Sequence, residues 1–162
     1  MQKDYRKYSD NLIVSGTAVM FFGIWSMIKE IMMLLLGQSR YFDYIPAKDD
    51  PAYFETAASA YVVFALMVIL TVLARIYVGM NARWIGAGKR CHKRFLALSI
   101  FMLILNVGSV IEMLISGGYS TYYSGLDAVA TALLDITAVY CMADMLWAVH
   151  KINEIRRYKG RA

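Results

Sequence analysis

The sequence predicts an all-α integral membrane protein, a four-helix transmembrane bundle, and three observations lead there. The chain of 162 residues is 59% hydrophobic and only 18% charged, too little polar surface to cover the core of a soluble domain of that size. Its apolar residues collect in four long blocks instead of spreading along the chain. A hydrocarbon layer about 30 Å thick takes roughly 20 helical residues to cross, and each block is long enough. The blocks lack the period-two alternation of barrel strands and are about twice as long. Helices are the remaining structure that satisfies its own backbone in lipid. The spans are expected at about 11–36, 52–78, 95–116 and 126–149, in a single membrane domain covering 1–162.

Before span one, Ser9, Asp10 and Asn11 offer side-chain oxygens for an N-cap after the polar opening MQKDYRKYSD. The apolar run is too long for a signal-peptide h-region of about 7–15 residues and lacks a small-residue cleavage site, so it is expected to be retained. Gly37 stops it, and a mixed-charge connection with Arg40, Asp43, Lys48, Asp49 and Asp50 follows. Pro51 suits the first turn of span two, behind an Asp49–Asp50 cap. After span two comes a basic loop at 79–94, where Gly86 and Gly88 should break the helix before Lys89, Arg90, Lys93 and Arg94. Span three ends at Gly117–Gly118, and the uncharged connection GGYSTYYSG leads into span four. The tail at 150–162 is basic and without an apparent apolar stripe, so it reads as a cytoplasmic extension.

Lysine and arginine set the orientation. The N-terminal segment, the second connection and the tail are rich in them, whereas the first connection is outnumbered by acids and the third has none. Both termini and the middle loop are therefore expected in the cytoplasm of a cell-membrane protein. The net charge of +5 belongs to those segments, where topology and anionic lipid headgroups account for it without nucleic acid. A weak parallel between SMIKEIMMLLLG and SVIEMLISGG, aligning Glu30 with Glu112, also raises two tandem helical hairpins.

Ionisable groups within spans cost about 2.5–3.5 kcal/mol on insertion scales, so they default to the bundle interior or a wet cavity. Glu30, Glu112 and Asp135 all fall roughly 7–14 Å inside the outer boundary at 1.5 Å per residue. They are the candidate layer for a cation, a proton or a cationic small molecule. Asn106 and Ser109 on span three and Thr131 on span four would add oxygens; Thr131 belongs to a stripe Asp127–Thr131–Asp135 at i, i+4, i+8. Clustered carboxylates raise one another's pKa, which suits proton exchange, and hard oxygens suit a cation whose identity the residues leave open. Asp144 sits about 180° around span four from Asp135, near the inner end. There Arg75 of span two is the expected partner, as a structural pair or an inner gate. Gly16 and Gly23, a heptad apart, suit close helix packing.

Catalytic motifs are missing. GAGKR lacks the glycine spacing and the Ser/Thr of a phosphate loop, there is no HExxH or GxSxG, and Cys91 and Cys141 have no CxxC spacing. No enzyme activity and no cofactor are expected. The reading is a transport- or channel-type protein. The alternative is a non-transporting accessory or assembly subunit, with the acids as polar glue in a homo-oligomer or against a partner membrane subunit.

Overall fold

The computed structural model describes residues 2–35, 53–90, 92–118 and 125–159. It is all-helical there, with α1 Gln2–Leu35, α2 Tyr53–Gly86, α3 Lys93–Ile115 and α4 Gly125–Lys159. Each helix carries a stretch long and apolar enough to cross a membrane. The first and third connections, Pro51 with its Asp49–Asp50 cap, and Cys91 lie outside the described residues, as does the side chain of Asp127.

Three helices are longer than hydropathy suggests, and the difference lies at one end. α1 begins at Gln2, so Ser9, Asp10 and Asn11 are interior helical residues and cap nothing. α2 continues through the supposed basic loop to Gly86, and α4 through the supposed tail to Lys159. The physical reason is that hydropathy marks where lipid ends, while a helix continues wherever its backbone and one face are satisfied. The tail does have such a face: Ile152 is fully buried in the main core.

The glycines expected to end α2 do so. Gly88 has φ +100°. Its N–H donates to the Ile85 carbonyl at 3.0 Å, and the Lys89 N–H donates to that of Trp84 at 2.9 Å. This is the Schellman pairing, which needs a residue tolerant of the left-handed region.

α1 packs most extensively on α2 and next on α4; α3 packs on α4, and α2 meets α3 and α4 only slightly. The start of α1, the end of α2, the start of α3 and the end of α4 share one end of the molecule, here the basic end. The α1–α2 seam is made of small residues. A Cβ on Gly16 would lie 2.8 Å from the Ala82 Cβ and 2.9 Å from the Gly79 carbonyl oxygen. One heptad towards the N-terminus, Ser9 donates a short hydrogen bond to the Gly86 carbonyl. Such approach is how helices attract in lipid, where apolar burial alone gives no gain. The contiguous core lies wholly in this half and includes Leu12, Val19, Val78, Ile85, Phe95, Met102, Met145 and Ile152.

Candidate functional site

Among the described residues, three polar constellations stand out along the helix axes. At the basic end, Arg156 of α4 donates to the carbonyls of Lys89 at 2.7 Å and Ile85 at 3.4 Å, and to the Tyr5 hydroxyl at 3.0 Å. The carbonyls at a helix C-terminus have no intrahelical donors, and a guanidinium there meets both the hydrogen-bonding need and the negative end of the dipole. This side chain ties α1, α2 and α4 together.

Further in, Asp144 of α4 is held by α1. Asn11 Nδ2 donates to both carboxylate oxygens, at 2.9 and 2.8 Å, and Ser15 Oγ donates to one of them at 2.6 Å. Here the expected Arg75–Asp144 pair is corrected. Its premise was that span two ends near Val78, placing Arg75 close to the inner boundary. Because α2 runs on to Gly86, Arg75 lies about 14 Å along the axis from Trp84, and its guanidinium bonds Phe22, Ser26 and Asn106 while Asp144 is bonded from α1. Asn11 and Ser15 were missed as its partners. They stand one turn apart on one face of α1, a spacing the sequence does display.

The third constellation surrounds Arg75. Its guanidinium donates to the Phe22 carbonyl at 3.3 Å and Ser26 Oγ at 3.2 Å on α1, and to Asn106 Oδ1 at 2.8 Å on α3. Asp135 on α4 lies close enough for its charge to act on the same guanidinium. Hydrogen bonds from one arginine therefore tie α2 to α1 and α3, with the charge of Asp135 on α4 acting on it. Gly23 makes this geometry possible, since a Cβ there would fall 2.9 Å from the Arg75 Cβ and 3.0 Å from its Cδ. The arginine stem lies across the bare α1 backbone to reach Phe22 and Ser26. Asn106 is itself fixed, its Nδ2 donating to the Met102 carbonyl at 2.7 Å and resting 3.7 Å from the Met142 sulfur. The Arg75 Nε is buried without an acceptor among the described residues, a costly condition for a donor.

The remaining expected site residues are distributed as follows. Thr131 is buried one turn from Asp135, which is half-buried. Glu30 is half-buried beside Lys29, and both are engaged in interactions within the chain. Glu112 and Ser109 are exposed on α3. Among the described residues no three His, Cys, Asp or Glu side chains come together to hold a metal ion, so Glu30, Glu112 and Asp135 do not form a metal cage. Cys141 is a free, half-buried cysteine.

By length and apolar composition, the four helices fit a multi-pass membrane protein. No protein-family model, curated protein or solved structure matches the chain.

Proposed function

We propose that this chain is a transport- or channel-type protein of the cell membrane, with both termini cytoplasmic and the Arg75 junction as its gate. One observation carries the reading: an arginine about 14 Å in from Trp84 bonds α1 and α3 and feels the charge of Asp135 on α4 where the packed half gives way to a thinly packed one. An intramembrane charge at such depth is a functional group by default.

Asp135 is the ion-responsive member. A proton or cation arriving from the far end competes with Arg75 for its carboxylate. Once Asp135 is neutralised, Arg75 keeps only neutral acceptors, the Phe22 carbonyl, Ser26 and Asn106. The slight α2–α3 interface is bridged by the Arg75–Asn106 bond, so loosening the arginine opens that interface. Glu30 supplies a second carboxylate towards the far end, and Thr131 supports the approach to Asp135. No chemical transformation of substrate is involved.

Flux into liposomes, read with a pH-sensitive dye under proton and cation gradients, tests the reading. Asp135→Asn should abolish flux while the purified protein keeps its size and helicity. If wild-type protein carries no flux under any gradient, the transport reading is lost.

A second reading, an accessory or self-associating subunit, is favoured by Glu112 and Ser109. They stand exposed on one face of α3, and a carboxylate facing lipid costs roughly 2.5–3.5 kcal/mol at depth. A partner helix would relieve that cost. Under this reading Glu112→Gln lowers oligomer size in detergent and leaves flux untouched.

A further inference from the structure

At the basic end, outside the three constellations, the end of α4 and Leu96 of α3 line a groove of about 500 Å³, with His150, Asn153, Glu154, Arg157 and Tyr158 on the α4 side. We propose that this groove binds the headgroup of an anionic phospholipid from the adjoining leaflet. The inference does not depend on the transport reading.

The first argument is which charges remain available. Arg156 is committed to Tyr5 and the end of α2. Lys151 and Glu154 close on each other at 2.9 Å, so the one carboxylate in the groove is balanced by its neighbour. Arg157, next to Arg156 in sequence, has no hydrogen bond or ion pair among the described residues and lines the groove instead. Lys93 and Arg94 stand exposed on the first turn of α3, beside Leu96. The uncommitted charge around the groove is positive.

The second argument is depth. Trp147 carries Lys151 over its ring at 5.4 Å, and on α2 Trp84 carries Lys89 at 4.4 Å. Tryptophan beside lysine is the mark of a membrane–water boundary. From His150 to Tyr158 the groove runs roughly 12 Å along α4, starting one turn beyond Trp147. His150 and Asn153, about 5–9 Å beyond Trp147, fall at the headgroup zone, which adds about 5–8 Å per leaflet to the hydrocarbon core, and the long side chains of Arg157 and Tyr158 line the groove from the water side. Leu96 gives the groove an apolar wall against which the start of an acyl chain can lie. A guanidinium presents paired donors to phosphate oxygens, and the Asn153 amide and Tyr158 hydroxyl can bond a glycerol headgroup.

Native mass spectrometry of the full chain in detergent, titrated with phosphatidylglycerol and separately with phosphatidylcholine, tests this. Wild type should retain one phosphatidylglycerol in preference to phosphatidylcholine. Arg157→Gln should weaken that binding about fivefold, the value expected for one basic residue at an anionic surface. Arg83→Gln removes an exposed charge of the same end, outside the groove, and should change it less than twofold. Equal losses in the two variants would reduce the effect to a diffuse charge field and overturn the site. So would equal retention of phosphatidylcholine, or displacement of the lipid by an equimolar concentration of soluble glycerol phosphate. Circular dichroism and gel filtration check that both variants are folded. Should Arg157→Gln fail that check, His150→Gln takes its place with a weakening of at least twofold expected, and no weakening overturns the proposal.

Discussion

Gly16 in one half of α1 touches the backbone of α2, whereas Ile28 and Met32 in the other half of the same helix stand 42% and 56% exposed. The contrast runs through the whole molecule. The contiguous core belongs to the basic half, while Leu66, Leu70, Leu105, Ile115 and Leu133 are exposed in the far half. Both halves are apolar, so hydrophobicity does not explain the difference. In lipid the surrounding solvent is as apolar as leucine, and helices associate only through close small-residue contact or polar bonds. The basic half has both, in the seam of Gly16, Gly79, Ala82 and Gly86 and in the bonds to Asp144 and from Arg156. Its outermost turns also leave the hydrocarbon, where burial of Ile152 again gains from water. The far half instead leaves large side chains such as Ile28, Leu66 and Leu133 exposed. Arg75 stands between the two.

The largest expected effect is at that junction. Arg75→Leu should destabilise the fold by about 3–5 kcal/mol, because it breaks a buried charged set that bonds α2 to α1 and α3 and removes the positive charge acting on Asp135. Reversible unfolding in mixed micelles would measure it. The double variant Arg75→Leu/Asp135→Leu should recover part of the loss, since the carboxylate that Arg75 balanced goes with it. A double variant no more stable than the single one would show that the two charges are not energetically coupled.

Within the basic half, Asp144→Ala should cost roughly 1.5–3 kcal/mol, the range for hydrogen bonds to a charged acceptor, because Asn11 and Ser15 lose theirs. Glu112→Ala, exposed in the far half, should change stability by less than about 0.5 kcal/mol. Similar costs for the two acids would erase the difference between the halves.

Four helices, the glycine stop after α2 and the small-residue character of Gly16 and Gly23 were legible in the sequence. So was the separation of Asp135 from Asp144, because helical phase alone puts them on opposite faces. The depth of Arg75 was not, because hydropathy falls at Asn81 and Arg83 although the helix does not end there. The same blindness hid the polar face of α1. Asn11 reads as a cap, and Ser15 carries no distinct signal, unless the helix is known to begin at Gln2. A stripe Tyr5, Tyr8, Leu12, Ser15, Val19 at helical spacing carries that information, and it starts well before the apolar block. That Asn106 would meet Arg75 depends on how α2 and α3 rotate against each other, which no single helix pattern encodes.

Gly16→Ala tests the seam more gently. The added methyl meets Ala82 and the Gly79 carbonyl at under 3 Å, and overpacking of this kind typically costs about 1–3 kcal/mol. Thermal unfolding followed by circular dichroism should show a lower midpoint for this variant, without loss of helicity at low temperature.

A smaller effect than that of Gly16→Ala, and of opposite sign, comes from the same substitution on the other side of the contrast. Gly108 is exposed on α3, and a Cβ there meets nothing within 4 Å. Gly108→Ala therefore adds no clash and removes a residue that weakens helix interiors by roughly 0.5–1 kcal/mol relative to alanine. The midpoint should rise slightly where that of Gly16→Ala falls. The experiment also separates the two functional readings, because Gly108 lies beside Ser109 and one turn from Glu112. If a partner helix covers that face, Gly108→Leu must push it away and lower the oligomer size in detergent. If no partner covers the face, Gly108→Leu changes neither size nor flux, and the exposed Glu112 stands in water at the far boundary.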